Sequence, residues 1–441
     1  MRTDLQYKLD IDRLTNGLDG LALPIGRVSQ VVGLTVQSQG PHVSVGDVVW
    51  IEAEDQGIIH KVPAEVVGFK DNYVLLMPLE YLGGIRPGAR VIPGGALTAE
   101  AGYSLLGRVV DGIGRPIDDG PKPSGTTPVK LEAAPPSPMR RKCLSEVFST
   151  GVKAIDGLLT CAKGQRIGIF AGSGVGKSTL MGSIARYSCA KVNVIALIGE
   201  RGREVRDFVE NSLGPEGLAK SVVVAVTSDQ SPLHRIKGAS TAMAIAEYFR
   251  DQGEDVLLLM DSVTRYSMAQ REVGLAIGEP PTTKGYPPSV FGMLARLLER
   301  SGVSEKGSIT AFYTVLVEAD DMNDPIADSV RAILDGHIVL ARSLAEEGQY
   351  PSIDVLASIS RLMSSITSEK HRDLAIRFRS LLSTYRKAEN LINVGAYAHG
   401  SNPRIDEAIK KIDRIRGFII QKHTVAVTWN DILNELKRAV A

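Results

Sequence analysis

The chain of 441 residues is poor in cysteine and aromatic residues, carries almost no net charge, and has no long apolar run. Its three cysteines, Cys143, Cys161 and Cys189, are odd in number and lack metal-ligand spacing, which argues against a disulfide framework and fits buried small side chains in a reducing compartment. Lys and Arg total 51 against 50 for Asp and Glu, so no overall basic field draws the chain to nucleic acid or lipid. Aromatic residues are 5% of the chain and are not interleaved with basic ones in the N-terminal segment, which speaks against a single-stranded nucleic-acid platform. The opening MRTDLQYKLDIDRL is charged every few residues, unlike a signal peptide or membrane span, so a cytoplasmic location is expected.

Length and ordinary globular composition predict two or three domains. In residues 1–20, Leu5, Leu9, Leu14 and Leu18 fall roughly on one side of a helix; both a partner-docking leader and a frayed terminus fit this pattern. Residues 21–98 carry short β-rich runs, among them DVVWIEA and YVLLMPL, separated by Gly, Pro and Asp turns, the pattern of a small β-barrel. A Pro-rich connector then leads into residues 99–350, where β-runs alternate with helical stretches as in a parallel sheet wrapped by helices. The remainder, 351–441, turns helical in period and charge.

The strongest local signal is Ala171-Gly172-Ser173-Gly174-Val175-Gly176-Lys177-Ser178, which follows the strand RIGIF and precedes a helical stretch beginning at Thr179. Glycines let backbone N–H groups surround phosphates, Lys177 neutralises phosphate oxygens, and the Ser178 hydroxyl suits Mg²⁺. Asp261 ends the apolar run from Val256 and is positioned to hold Mg²⁺ through water; Glu200, after the strand VNVIALI, is the candidate for orienting an attacking water.

These segments, with GERGREV, LLLMDSVTRY, GEPPTTKGYPPSVF, ILDGHIVLAR and YPSIDVLASISR, resemble the type III secretion ATPases, relatives of rotary ATP synthase catalytic subunits. The resemblance implies an α/β fold: a RecA-like P-loop core with an N-terminal β-barrel and a C-terminal helical domain, assembled as a homohexamer that hydrolyses ATP with Mg²⁺. It implies that Gly172, Ser173, Gly174, Val175, Gly176, Lys177, Ser178 and Thr179 hold the phosphates, with Ser178 and Asp261 on the metal. Glu200 takes the catalytic carboxylate role, Arg361 is an arginine finger acting on the next protomer, and Tyr350 stacks on adenine. Arg201 and Glu204 lie near the site; Asp335, His337 and the DDMNDP segment are structural or coupling elements, and Ala319 and Lys284 depart from the usual Gly and Arg.

The tail AENLINVGAYAHGSNPRIDEAI looks more like the flagellar export ATPases than their injectisome relatives, and both assignments stay open. The segment Gly395–Gly400 stands where synthase subunits carry an acidic rotor-contacting turn, which argues against ATP synthesis. The implied partners are a peripheral stalk protein at the N-terminus, a central stalk, the export gate at the inner face of the cytoplasmic membrane, and export substrates with their chaperones. A non-catalytic ring subunit is opposed by retention of Lys177 and Glu200, and an RNA-translocating ring by the charge balance.

Overall fold

A computed structural model describes residues 25–80, 83–317 and 324–441. The proposed leader at residues 1–20, Ala319 and residues 320–323 of the DDMNDP segment lie outside the described residues.

The described residues from Ile25 to Leu97 form one compact unit. Six strands, β1 (Gly26–Val32), β2 (Thr35–Gln39), β3 (Val48–Asp55), β4 (Ile58–Lys70), β5 (Tyr73–Pro78) and β6 (Arg90–Gly95), close into a barrel in the order β1-β2-β5-β4-β3-β6. Period-2 alternation selects the interior: Val49, Ile51, Ala64, Val66, Leu76 and Val91 are buried, while Trp50 and Glu52 face outward or lie part-exposed. Bulges between Val28 and Gln30 and between Val66 and Gly68 supply local twist, and closure leaves no free sheet edge.

Thr98 to Ala441 form the second unit, built on a nine-stranded sheet among the described residues. Its main strands are β7 (Arg108–Val110), β8 (Arg166–Ala171), β9 (Val192–Glu200), β10 (Ser221–Thr227), β11 (Asp255–Asp261), β12 (Ser308–Leu316), β13 (Gly336–Leu340) and β14 (Ile359–Ser360), in the order β14-β13-β8-β12-β11-β9-β10-β7. Strands β7 to β13 are parallel, and every residue of β9 is buried, because helices cover both faces. The register sets Ala171 beside Leu316, Met260 beside Tyr313 and Leu197 beside Asp261, so the carboxyl ends of β8, β9 and β11 share one edge. Ligands of open α/β sheets bind outside that edge.

The C-terminal helices are not a separate body. Glu369–Asn393, Pro403–Ile419 and Trp429–Val440 start at Ser368, Asn402 and Thr428, whose side chains accept hydrogen bonds from the first-turn N–H groups. Their buried stripes, including Phe378, Leu382, Ile415 and Leu436, share one apolar cluster with Ile155 and Leu158 of the short helix Lys153–Leu158 and with Ile169 and Leu197 of the sheet. Residues 351–361, grouped from sequence with the C-terminal region, pack with the sheet: β14 pairs antiparallel with β13, and Ile353 and Val355 are fully buried.

Candidate functional site

The phosphate loop runs from the end of β8 into a helix, α1 (Lys177–Tyr187). Gly174 and Gly176 have φ of 80° and 88°, left-handed values that glycine adopts without strain, and Gly176 caps the helix with no side chain of its own. The first N–H groups of α1 therefore lack intrahelical acceptors and are free to meet an anion. Ser178 and Thr179 are exposed on the first turn, and Val175 is buried with its carbonyl accepting from Ser352 Oγ at 2.6 Å. That bond ties the loop to the chain segment after β13.

Three charged groups from three elements converge here. Lys177 Nζ lies 2.5 Å from Asp261 Oδ1 and 3.7 Å from Glu200 Oε1. Thr314 Oγ1 on β12 donates to the same Asp261 oxygen at 2.6 Å, fixing the carboxylate at the end of β11. Glu200 closes β9 and is 7% exposed; its pKa is pushed up to about 7, first by burial, then by Asp261, and then by its hydrogen bond to Glu204. The same bond, first among its causes, holds Glu204 below the usual carboxylate range.

The Glu200 Oε1 atom is buried without a hydrogen bond and faces the Lys177 ammonium across 3.7 Å. Oxygen donors at Ser178 and Asp261 suit a hard cation such as Mg²⁺, which takes one or two protein oxygens and completes its shell with phosphate and water. No group of three or more His, Cys, Asp or Glu among the described residues forms a self-sufficient metal cage, and this donor set does not need one.

Next to the loop is a cavity of about 620 Å³ lined by Gly176, Thr179, Ser183, Tyr350, Gln421 and His423, among others. The Tyr350 ring is half exposed and lies against Gly176: a Cβ there would sit 3.5 Å from two ring carbons. The exposed aromatic face thus borders the cavity beside the phosphate cradle.

Arg201 and Arg361 are placed differently. Arg201 is largely exposed and pairs with Glu204 at 3.1 Å, beside the site and outside the Lys177 cluster. Arg361 is exposed at the opposite sheet edge: its N–H bonds Asp335 O, its guanidinium bonds Arg331 O, and Asp335 in turn holds Arg166 at the start of β8. A strand such as β8 rises about 3.3 Å per residue, so Arg361 is roughly 15 Å or more from its own phosphate loop. Asp335 and His337 have structural contacts, the latter to Ala357 O at 3.0 Å, and Lys284 pairs with Asp324 at 3.7 Å.

Two contributors are invisible in the local motifs. Arg265, four residues beyond Asp261, bonds the Gly199 carbonyl and lies 3.4 Å from Glu200 Oε2, where it opposes the rise in the Glu200 pKa. The segment Ile420–Thr424 walls the cavity from the far end of the chain, held there by Arg186 Nη2 on His423 O at 2.7 Å. Arg265 sits one helical turn past a recognisable Asp, a faint signal; the cavity wall has none.

A phosphate loop on a parallel sheet with two carboxylates over its lysine defines the class, a P-loop ATPase. Three family models match: the ATP synthase alpha/beta family nucleotide-binding domain over residues 151–360, its beta-barrel domain over 28–95, and the T3SS EscN ATPase C-terminal domain over 367–438. The chain is 57% identical over 398 residues to a flagellum-specific ATP synthase of Bacillus subtilis, covering 90% of each, and 53% identical over 397 residues to a type 3 secretion system ATPase of Xanthomonas euvesicatoria, covering 90% of this chain and 89% of the relative. The structure of the assembled ATPase EscN in complex with its central stalk EscO, from the type III secretion system of enteropathogenic E. coli, superposes with a TM-score of 0.87 at 45% identity, over 94% of this chain and all of that one. The chain belongs to the type III secretion ATPase family, which includes the flagellum-specific ATP synthases.

Proposed function

We propose that this chain forms a homohexamer whose Mg²⁺-dependent ATP hydrolysis energises type III export of flagellar proteins, by delivery, chaperone release or unfolding of substrates. The carrying observation is the meeting of Lys177, Asp261 and Glu200 over the glycine loop, with Arg361 on the far edge of the same sheet. In the free site Lys177 is held by two carboxylates; a triphosphate seated on the N–H groups of α1 competes for that ammonium and frees Asp261. Ser178 and Asp261 would then hold Mg²⁺, which neutralises phosphate charge when bound. Glu200, once deprotonated, orients water toward the terminal phosphate, while Arg265 steadies its carboxylate. Tyr350 takes the adenine face, and Arg201 lies at the rim of the phosphate site. Arg361 cannot span its own sheet, so it serves the site of the next protomer, where a planar guanidinium matches spreading phosphoryl charge.

The partners of this reading are the other protomers, a central stalk as in the assembled relative, a peripheral stalk protein at the N-terminus, the export gate, and export substrates with chaperones. It places the enzyme in the cytoplasm at the inner face of the membrane; no described helix is long and apolar enough to cross one. The relatives carry both flagellar and type 3 secretion names, so an injectisome ATPase is the second reading. Phosphate release measured against protein concentration tests the shared site: specific activity should climb steeply as rings assemble, and a flat, concentration-independent rate would reject it. Complementation of a strain lacking its flagellar export ATPase, scored by swimming, separates the flagellar from the injectisome assignment.

A further inference from the structure

Four hydrogen bonds meet at Gln421, just beyond the helix Pro403–Ile419. Its backbone N–H donates to Tyr350 O at 3.0 Å. Its side-chain Nε2 donates to Gly151 O at 2.8 Å and to Val425 O at 2.9 Å, and Oε1 accepts from Lys153 N at 2.8 Å. Both Nε2 hydrogens and one oxygen lone pair are thus committed, and only this amide orientation satisfies two carbonyls and one N–H. The Lys153 N–H opens the short helix Lys153–Leu158, whose first donors have no acceptor within the helix. Gly151 has φ of 73°, and a Cβ there would meet Tyr187 at 2.6 Å, so the carbonyl that Gln421 grips belongs to a backbone with little freedom to move.

Tyr350, in contrast, is half exposed, and its ring lies against the phosphate loop at Gly176. Its segment is located from behind by bonds from Ala341 N–H to Ser352 O, from Ser352 Oγ to Val175 O, and from Gln421 N–H to Tyr350 O. The last shares its anchorage between the Gln421 amide, on Gly151 and Lys153, and Arg186 on His423 O.

We propose that Gln421 is a positioning residue for the nucleobase: its amide pins the Ile420–Thr424 wall and, through the backbone, holds Tyr350 at the stacking distance from a base beside Gly176. The inference rests on the reading that Tyr350 receives the base. It predicts that Gln421 governs base affinity and leaves phosphate binding and the chemical step alone, since no atom of Gln421 touches the Lys177 cluster among the contacts described.

The test uses the full chain with Gln421→Ala, Gln421→Glu and Tyr350→Ala, measuring KM and kcat for ATP and the inhibition constant of inorganic tripolyphosphate, which has phosphates but no base. Gln421→Glu keeps the acceptor for Lys153 N–H and loses both donations, so it retains the helix contact if the alanine variant is poorly folded. Loss of these side-chain bonds predicts a KM for ATP raised about 5- to 30-fold in Gln421→Ala and at least as much in Gln421→Glu, whose carboxylate faces the Gly151 and Val425 carbonyls, with kcat and tripolyphosphate inhibition within about twofold of the parent. A raised KM in Tyr350→Ala with none in either Gln421 variant would overturn the role of Gln421 while leaving the base site standing. No change in any variant would overturn the base site and this inference with it. Equal weakening of tripolyphosphate and ATP in the Gln421 variants would make the residue merely structural, and also overturns the proposal.

Discussion

Lys177 and Asp261 touch across the candidate site, Nζ to Oδ1 at 2.5 Å, although 84 residues separate them in the chain. One opens α1 after β8 and the other ends β11, with β12 between the two strands. Thr314 on that intervening strand completes the contact. The ammonium also faces Glu200, so one cation serves two carboxylates.

Removal of that cation should therefore act twice. Lys177→Ala is expected to lower ATP turnover by about 10³ or more, and to raise the Glu200 pKa further, because Lys177 is among the groups that lower it. Phosphate release and titration of the Glu200 carboxyl by infrared difference spectroscopy check the two effects; a Glu200 pKa that falls would contradict the charge arrangement.

Glu200→Gln keeps the shape and removes the base. ATP binding is expected to stay within a fewfold of the parent while kcat drops by about 10² to 10⁴, the usual contribution of a positioned general base. Equilibrium binding of ATP beside single-turnover hydrolysis decides this, and undiminished turnover would take the catalytic role away from Glu200.

The pH profile follows from the same residue. Its folded pKa, about 7, lies above the ordinary carboxyl value of 4.5, so the protonated form predominates in the free site below pH 7. The active carboxylate then appears as pH rises, and kcat/KM should climb with an apparent pKa near 7. For stability the sign is opposite: the folded state binds the proton more tightly, so this group's contribution is full below about pH 4.5 and is lost as pH rises through 7. Glu204→Ala removes a contact that raises the Glu200 pKa and should move the kcat/KM limb to lower pH; a limb that stays in place would dissociate the pair.

Arg361→Ala and Lys177→Ala subunits, each inactive alone, should regain part of their activity when mixed, because some interfaces then combine an intact loop with an intact arginine. Titrating one variant into the other while following phosphate release tests it. No recovery at any ratio would count against action between subunits.

Stability rests on a different buried pair. Arg300 is 2% exposed and grips Glu247 through two bonds of 3.0 and 2.6 Å, with a third to Leu131 O at 2.8 Å. Glu247→Ala removes the two carboxylate hydrogen bonds of that buried guanidinium and is expected to destabilise by about 3–5 kcal/mol, measured by denaturant unfolding.

Much of this site is legible in the chain because phosphate chemistry restricts residue types locally. The glycines of the loop, Lys177 and Ser178 sit within eight residues, and Asp261 and Glu200 each end an apolar strand. The barrel strands and the alternating core were readable for a similar reason, since period-2 runs and buried parallel strands have distinct patterns. What escaped was long-range. Arg265 looks like any charged residue on the helix Val263–Ala276 until the fold carries it to Glu200. Gln421 sits in a segment without a motif, and its value arises from meeting Tyr350 and Gly151, which are 71 and 270 positions away. The distance of Arg361 from its own loop needed the antiparallel pairing of β14 with the start of β13, which no spacing in the sequence contains.

The apolar cluster that joins Phe378, Ile415 and Leu436 to Ile155, Leu158 and Ile169 has a further consequence. A chain cut before Ser368 would lay bare the helix Lys153–Leu158 and the apolar side chains clustered with it, and the excised helices would lose the surface against which their stripes are ordered. Neither fragment keeps a complete interior, so heat should melt them together in one cooperative step, and a protease nick in that connection would condemn both.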